Sequence, residues 1–351
     1  MAIKVIQWAT GTIGTAALKE IIRHPDTELV GLKVYSPAKN GLDAGDLCGM
    51  PKTGITATTS TEEILKLDAD VVLHMPKAYG VLDECVDDIC ALLESGKDVI
   101  SIAYCVEPSI QKEGIDTRIE AACKKGNSTY HGTGIDPGYV CDRLPAALTC
   151  CSRDVDRIRM HEAADISYHP NSDFMVPLLG FGMEPELLKL SKPTDGLLYM
   201  LKFFPEAIAS LCRLLHVPLD RVEADPLTVV PATKDLHLAS GVIKKGTMAG
   251  CIWKFRGYRP GDTEPFITHQ WSWYVEKDLP GMPKCDGKYT IYLDIFGRPQ
   301  LNMVLDFTDP EDAIWMPTGM AAFRMIPEVV AAPPGILYPT ISGAWRPSLI
   351  N

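Results

Sequence analysis

The sequence predicts an α/β fold: a doubly wound parallel sheet in the N-terminal part, followed by an α+β domain with a mostly antiparallel sheet. Two observations carry this prediction. Between residues 3 and 131, buried apolar runs alternate with segments of helical periodicity, the order that builds a parallel sheet covered by helices. After about residue 150, strands with residue-by-residue alternation of apolar and polar side chains indicate a sheet with one covered face.

The N-terminal part begins with a buried strand at residues 3–8. A helix follows, in which apolar residues recur at helical spacing, and a second strand restarts at residue 29. Further strands are predicted at residues 70–75, 98–102 and 128–131, and further helices at residues 81–93 and 115–125. Glu94-Ser95-Gly96 closes the first of these helices and Gly126 closes the second, since a glycine is a frequent stop signal.

The second part mixes strands with one long helix. Strands are predicted at residues 157–161, 227–230, 250–255, 268–275 and 289–294, and the helix at residues 196–215. The tail is helical over residues 320–332 and ends at Pro333-Pro334-Gly335. The apolar faces of the second sheet are candidates for a subunit interface.

Composition narrows the class of partner. The 351 residues carry a formal net charge of −11, which argues against nucleic acid or an anionic membrane surface as the main partner. No apolar run approaches membrane-spanning length, and the chain starts directly in a strand, so we expect a cytoplasmic protein without a signal peptide. The eleven cysteines form no C-x-x-C pair and are expected to be reduced thiols.

A glycine turn links the first strand to the first helix. Ala9-Thr10-Gly11-Thr12-Ile13-Gly14 follows the G-x-G-x-x-G pattern except that its first glycine is Ala9, which costs little if that position keeps a negative φ. In this context the turn predicts that a dinucleotide diphosphate binds at a helix N-terminus; a purely structural turn is the alternative. The residues predicted to contact the diphosphate are Thr10, Gly11, Thr12, Ile13 and Gly14.

The end of the second strand bears on the choice of cofactor. An acidic residue there would accept hydrogen bonds from the adenosine 2′-hydroxyl and repel a 2′-phosphate. This chain has Ser36, which can donate to a phosphate, and Lys39, which can neutralise one. We therefore expect NADP, with NAD still possible; a solvated loop lysine is the alternative interpretation of Lys39.

The remaining strand ends supply the other candidate residues, because ligands bind beyond the carboxyl ends of the strands in open α/β sheets. Met75, Pro76 and Gly134 are predicted cofactor contacts. Glu107 is a candidate general acid/base if it lies in a partly dry pocket, or else a surface glutamate that caps the helix after Pro108. Asp136 is a candidate pocket residue or a turn former.

No metal site is predicted. Residues 161–165, His-Glu-Ala-Ala-Asp, come close to the H-E-x-x-H zinc motif, but the fifth residue is Asp165 and the segment has the pattern of a strand rather than a helix.

The chain resembles the dihydrodipicolinate-reductase-like family that includes 2,4-diaminopentanoate dehydrogenase and the native NAD(P)H-dependent amine dehydrogenases. The resemblance is carried by Val5-Ile6-Gln7-Trp8-Ala9-Thr10-Gly11 at the start of the chain. It is carried most specifically by residues 132–138, Gly-Thr-Gly-Ile-Asp-Pro-Gly, followed by Asp142-Arg143-Leu144-Pro145. The family usually has Asn where this chain has Asp136, so an amide hydrogen bond from that position is in doubt.

The resemblance implies a Rossmann dinucleotide-binding domain at residues 1–148, a substrate and dimerisation domain at residues 149–314, and a tail helix at residues 315–351 that returns to the first domain. It also implies a homodimer. In amine dehydrogenases of this group a glutamate after the fifth-strand region is the catalytic acid/base, and Glu107 looks like that residue.

The predicted activity is reductive amination of a small ketone or aldehyde with ammonia, and the reverse oxidative deamination. The pocket residues expected from the sequence are Asp136, Tyr139, Tyr168, Phe174 and Met175; for the last four, ordinary core between domains is the alternative. Two other functions stay open. One is reduction of a preformed imine or a carbonyl compound on the same scaffold, and the other is a non-catalytic NADP(H) sensor.

Overall fold

A computed structural model describes residues 2–103, 106–169, 171–189, 193–283, 285, 288–309 and 314–348. The chain divides into two compact units. The first consists of Met1–Tyr139 and Ile314–Pro339, and the second of Val140–Ala313 and Thr340–Asn351. Residues 140–148 and 340–348 thus fall in the second unit, although the sequence assigned them to the first domain and the tail helix. The domain roles of the predicted segments stay a prediction.

Strands and α-helices are numbered in chain order. The strands are β1 Ile3–Trp8, β2 Thr27–Lys33, β3 Ala57–Thr58, β4 Val71–His74, β5 Asp98–Ser101, β6 Thr129–Gly132, β7 Asp154–Asp165, β8 Arg221–Ala224, β9 Thr228–Pro231, β10 Leu236–Leu238, β11 Gly241–Ile243, β12 Met248–Tyr258, β13 Ile267–Tyr274, β14 Tyr289–Arg298, β15 Leu301–Phe307 and β16 Gly335–Ile336. The helices are α1 Thr12–Arg23, α2 Ala44–Cys48, α3 Thr61–Leu65, α4 Leu82–Glu94, α5 Pro108–Gln111, α6 Ile115–Gly126, α7 Leu144–Leu148, α8 Asp195–Leu214, α9 Trp315–Phe323 and α10 Ile326–Val330.

The first unit is a seven-stranded parallel sheet in the order β16-β6-β5-β4-β1-β2-β3. Helices cover both faces, so the sheet is doubly wound and this part of the predicted fold is confirmed. One face packs residues such as Leu18, Val71 and Phe323, and the other packs residues such as Ile6, Val86 and Ile119. Both faces are apolar because both are buried.

The tail differs from the prediction of one helix over residues 320–332. It forms two helices, α9 and α10, and then adds β16 to the sheet, where Gly335 and Ile336 pair in parallel with Thr129 and Tyr130. Helix α9 packs against α1 within the first unit.

The second unit contains a sheet in the order β15-β14-β7-β13-β12-β8, with β9 also paired to β12. Only β7 and β13 run parallel among these pairs, so the predicted, mostly antiparallel sheet is confirmed. Helix α8 covers one face, where the ring of Phe204 packs on Phe255, His269 and Trp271. Within the described part of the chain, none of the helices has the length and apolar character needed to cross a bilayer.

Candidate active site

The turn between β1 and α1 has an unusual backbone. Ala9 has a φ of 77°, so it lies in the left-handed region, which costs an alanine roughly 1–2 kcal/mol. The condition under which alanine would be inexpensive there, a negative φ, is therefore not met. A Cβ on Gly14 would lie 2.3 Å from the Ala9 carbonyl oxygen, whereas a Cβ on Gly11 would meet nothing within 4 Å. Packing therefore requires a glycine at residue 14, whereas the structure leaves open space at residue 11.

A buried glutamine that the sequence reasoning missed supports this turn. The side chain of Gln7 is fully buried, and its Nε2 donates to the carbonyl oxygens of Ala9 at 2.9 Å and Trp8 at 3.3 Å. A signal was present in the sequence, because an amide in an otherwise apolar buried strand needs hydrogen-bond partners. Its position two residues before the turn pointed to the turn's carbonyls.

The N-terminus of α1 is suited to an anion. Its N-cap is Gly11, no side chain caps the helix, and no acidic residue lies in its first turn. The first N–H groups of a helix have no intrahelical acceptor and carry partial positive charge. With the open space above Gly11, these donors fit a diphosphate group. Thr10, Thr12, Ile13 and Gly14 all lie in this turn or the first helical residues.

Lys39 reaches the same turn. Its Nζ donates to the Thr10 carbonyl at 2.9 Å and to the Thr10 Oγ1 at 3.0 Å. Thr15 Oγ1 also donates to the Thr10 carbonyl, at 3.4 Å. Ser36 is exposed at the end of β2 and makes no capping hydrogen bond with its side chain. The structure therefore brings the ammonium of Lys39 to the glycine turn, whereas Ser36 is exposed just beyond the end of β2.

The hydroxyl of Tyr35, just beyond the end of β2, is a second polar group that the sequence reasoning missed. Trp8 Nε1 donates to the Tyr35 hydroxyl at 2.8 Å, and that hydroxyl lies 3.4 Å from Asp88 Oδ2. The ammonium of the buried Lys33 stands over both rings, 5.4 Å from that of Trp8 and 4.8 Å from that of Tyr35. Burial lowers the pKa of Lys33 and raises the pKa of Tyr35 to about 12.

The end of β4 is buried. Met75 and Pro76 follow His74, and all three are buried. His74 Nδ1 lies 2.9 Å from Ser101 Oγ, which accepts a hydrogen bond from the backbone N–H of Ala103 at 3.1 Å. The Ser101 hydroxyl proton is then available for Nδ1. Because of burial, the pKa of His74 falls to about 3, so the ring is neutral at physiological pH.

Glu107 lies six positions after the last residue of β5 and is 2% exposed. It is the N-cap residue of the short helix α5, but its side chain makes no capping hydrogen bond. The interpretation of Glu107 as an exposed loop glutamate that caps the helix does not fit this burial. A buried carboxyl group in the segment after the carboxyl end of β5 is consistent with acid/base chemistry.

Gly134, Asp136 and Tyr139 lie after β6. A Cβ on Gly134 would lie 2.9 Å from the Pro137 carbonyl oxygen, and the Tyr139 N–H donates to the Gly134 carbonyl at 3.0 Å. Asp136 is half-buried, with extended backbone angles, and Gly138 has a φ of 135°. Tyr139 is 45% exposed. The segment is a tight turn in which Gly134 lies close to Pro137 and Gly138 has a backbone conformation that favours glycine.

In the second unit, the predicted pocket residues follow β7. Tyr168 is half-buried, with the ammonium of Lys288 5.3 Å from its ring centroid. Met175 is 1% exposed, and its backbone bonds to Asn171 and Phe181. Phe174 begins the helical turn Phe174–Leu178, and its side chain lies outside the described part of the structure. Full burial of Met175 is also what an ordinary core residue would show.

Strand β7 separates the residues of the near-zinc motif. His161 bonds through Nε2 to Ser272 Oγ at 3.1 Å and stacks on Tyr292. Glu162 accepts a hydrogen bond from the Tyr289 hydroxyl at 2.5 Å. Successive strand residues point to opposite faces, so His161 and Glu162 cannot act together as they do on the helix of a zinc protease.

Comparisons with known proteins give a consistent result. The family model for the 2,4-diaminopentanoate dehydrogenase C-terminal domain matches residues 139–340. An amine dehydrogenase of Streptomyces virginiae is 27% identical, covering 99% of this chain and 98% of its own. The 2,4-diaminopentanoate dehydrogenase of Acetoanaerobium sticklandii is 25% identical, over 95% and 91%. The solved structure of an amine dehydrogenase from Mycobacterium smegmatis has a TM-score of 0.77 at 19% identity, covers 96% of this chain and 95% of that one, and so shares the fold.

Proposed function

The chain belongs to the family of the 2,4-diaminopentanoate dehydrogenase C-terminal domain, and from this premise we propose that it is an NAD(P)H-dependent amine dehydrogenase. It would convert a small ketone or aldehyde and ammonia into an amine, and catalyse the reverse oxidative deamination. Two relatives named for this kind of chemistry align over nearly the whole chain. The single observation that carries the proposal is the burial of the Glu107 carboxyl group in the segment after the carboxyl end of β5; ligands of open α/β sheets bind beyond such strand ends.

Glu107 is the proposed catalytic acid/base. Its carboxylate takes a proton from ammonium, and the ammonia that results adds to the carbonyl carbon to give a carbinolamine. The same carboxyl group returns the proton to the carbinolamine hydroxyl, which leaves as water and yields an iminium ion. A bound reduced nicotinamide supplies the hydride that converts this carbon to the amine. Proton transfer by a positioned side chain contributes about 10²–10⁴-fold to the rate.

The glycine turn is the proposed diphosphate site. Thr10, Gly11, Thr12, Ile13 and Gly14 would hold the diphosphate through backbone N–H groups at the start of α1. Met75, Pro76 and Gly134 follow β4 and β6 at the same sheet edge and are the other proposed cofactor contacts.

We assign a preference for NADP to Ser36 and Lys39. The end of β2 carries no carboxylate to repel a 2′-phosphate, and the Lys39 ammonium lies beside the turn. Lys39→Met should raise KM for NADPH about tenfold, the effect of losing about 1.4 kcal/mol. KM for NADH should stay nearly unchanged, and a wild type that prefers NADH would contradict the assignment.

The test of the activity is nicotinamide oxidation that requires both ammonia and a carbonyl compound. Glu107→Gln keeps the size of the side chain and removes the proton acceptor, so turnover should fall by about 10²-fold or more. Glu113→Gln is a matched control, because Glu113 is an exposed glutamate just beyond α5. Unchanged turnover in Glu107→Gln would reject its role. Turnover without ammonia would point to an imine or carbonyl reductase, and binding without turnover to a sensor.

The predicted pocket residues Asp136, Tyr139, Tyr168, Phe174 and Met175 stay a prediction. Replacement of each by alanine, followed by a comparison of kcat/KM across small ketones and aldehydes, would identify those that contact substrate. A residue that serves only the core should alter stability without changing the order of substrates.

We also propose a cytoplasmic homodimer. The face of the second sheet that points away from α8 carries Val304, which is 58% exposed, with Tyr292 and Ile252 half-buried. The same face also carries polar side chains such as Arg159 and Asp294, which form an ion pair. Such a mixed face of apolar and polar groups fits a second copy of this chain. Light scattering should give twice the monomer mass, and Val304→Glu should lower it. The described cysteines are all free thiols, which suits a reducing compartment.

A further inference from the structure

Three features of the β1–α1 turn are connected through one carbonyl group. Ala9 is held at a φ of 77°, where glycine is the usual residue. The Ala9 carbonyl oxygen accepts a hydrogen bond from Gln7 Nε2 at 2.9 Å. The same oxygen lies where a Cβ on Gly14 would approach to 2.3 Å, so the first turn of α1 packs directly against it. The position of this carbonyl therefore sets where the helix N-terminus stands relative to β1.

The amide of Gln7 bonds only through its donor side. Nε2 faces two successive carbonyls, those of Trp8 and Ala9, while Oε1 is buried without a hydrogen-bond partner among the described residues. A buried acceptor without a partner carries a desolvation cost that an apolar side chain of similar size would avoid. The contribution of the Gln7 amide is therefore the pair of hydrogen bonds that Nε2 donates to the turn.

We propose that Gln7 is a positioning residue for the nicotinamide cofactor. Its Nε2 holds the Ala9 carbonyl in the left-handed turn that alanine does not favour, and so keeps the N–H groups at the start of α1 directed at the diphosphate. Lys39 holds the next carbonyl, that of Thr10, at 2.9 Å. This inference rests on the cofactor site of the proposed function but not on the amination chemistry.

The test is a double-mutant cycle between positions 7 and 9. Gln7→Met keeps the volume of the side chain and removes the donor, whereas Ala9→Gly removes the reason why a donor is needed, because glycine adopts a φ of 77° without strain. Gln270→Met is a matched control, since the amide of this half-buried glutamine bonds to Ser272 in the second unit. The dissociation constant for NADPH is measured by fluorescence titration, and the melting temperature without cofactor is measured beside it.

Gln7→Met should weaken NADPH binding about tenfold, whereas Gln270→Met should leave binding within about a factor of two. The double variant Q7M/A9G should regain binding to within about threefold of the wild type. In turnover assays Gln7→Met should raise KM for NADPH with less effect on kcat, a split that loss of folded protein alone would not produce.

Two results would overturn the inference. One is a Gln7→Met variant that melts at a lower temperature but binds NADPH normally, which is the behaviour of a core residue. The other is a double variant that binds as weakly as Gln7→Met, since strain at Ala9 would then not be what the amide offsets. If Gln7→Met is insoluble, Q7M/A9G is compared with Ala9→Gly, and insolubility of the double variant also overturns the inference. The binding titrations contain no carbonyl substrate, so they test the role of Gln7 separately from the proposed activity. A wild type that binds NADPH but does not catalyse amination would reject the proposed activity without affecting the role of Gln7.

Discussion

The two glycines of the β1–α1 turn should respond differently to the same substitution. A Cβ at residue 14 would lie 2.3 Å from the Ala9 carbonyl oxygen and 3.0 Å from Gln7 Nε2. A Cβ at residue 11 would meet no atom within 4 Å. Neither glycine has a positive φ, so backbone strain does not enter the comparison. Gly14→Ala therefore tests internal packing, and Gly11→Ala tests the space reserved for a ligand.

The expected magnitudes follow from these contacts. Gly14→Ala forces β1 and α1 apart, and overpacking of this kind costs about 1–3 kcal/mol. Because the Cβ would meet backbone rather than a flexible side chain, the cost lies in the upper part of this range, about 2–3 kcal/mol. The better helix propensity of alanine returns about 0.5–1 kcal/mol, which leaves a net loss of about 1–2.5 kcal/mol. For a unit of this size that loss lowers the melting temperature by about 2–10 °C. At Gly11, the poorer N-cap and the smaller entropy of the unfolded chain nearly cancel, so stability should change by less than about 0.5 kcal/mol.

Differential scanning fluorimetry of the cofactor-free protein and fluorescence titration with NADPH separate the two effects. Gly11→Ala should melt like the wild type but bind NADPH more than about tenfold more weakly, because its methyl group occupies the approach to the N–H donors. Gly14→Ala should lose stability and binding together. A Gly11→Ala variant that binds normally would refute the diphosphate site, and a Gly14→Ala variant that melts unchanged would refute the packing argument.

Two further substitutions address stability. Burial lowers the pKa of His74 from 6.5 to about 3, so below about pH 6.5 this histidine is protonated in the unfolded chain but neutral in the folded protein. The free energy of unfolding should therefore fall as pH drops below about 6.5, by up to about 1.4 kcal/mol per pH unit. His74→Asn should flatten this pH dependence between pH 6 and 4, and an unchanged slope would contradict the argument. Ser210→Ala removes the 2.7 Å hydrogen bond to the buried carboxylate of Asp142 and should cost about 1.5–3 kcal/mol in urea unfolding, whereas an unchanged urea midpoint would show that the bond contributes nothing.

The parallel sheet of the first unit could be predicted from the sequence because its central strands are buried on both faces. Such strands, for example Val71–His74, appear as short apolar runs between helical segments. Strand β16 could not be found in this way. It consists of Gly335 and Ile336 only, too few residues for any periodicity, and it exists because β6 offers an open edge. Tertiary pairing, not local pattern, makes it a strand.

Some residues of the candidate site could likewise be predicted from the local sequence, and others could not. Glu107 could be found because it follows a predicted strand and precedes a proline, but neither feature predicts its burial. The contact of Lys39 with Thr10 crosses 29 positions, and no local rule anticipates it. The strand pattern of residues 161–165 was visible in the sequence, and it implies the opposite directions of His161 and Glu162 because alternation along a strand is a local property.

Ala9 shows why a motif alone could not specify this turn. The glycine pattern treats its positions as equivalent, whereas the structure distinguishes them: the backbone is left-handed at residue 9, residue 11 faces open space and residue 14 is closely packed. An alanine can adopt the left-handed conformation if other groups hold the backbone, as Gln7 does here. A methyl group at residue 14 would meet the Ala9 carbonyl oxygen, and one at residue 11 would stand in the path of the proposed diphosphate. The departure from the motif at residue 9 and the intact glycines at residues 11 and 14 therefore have separate physical explanations.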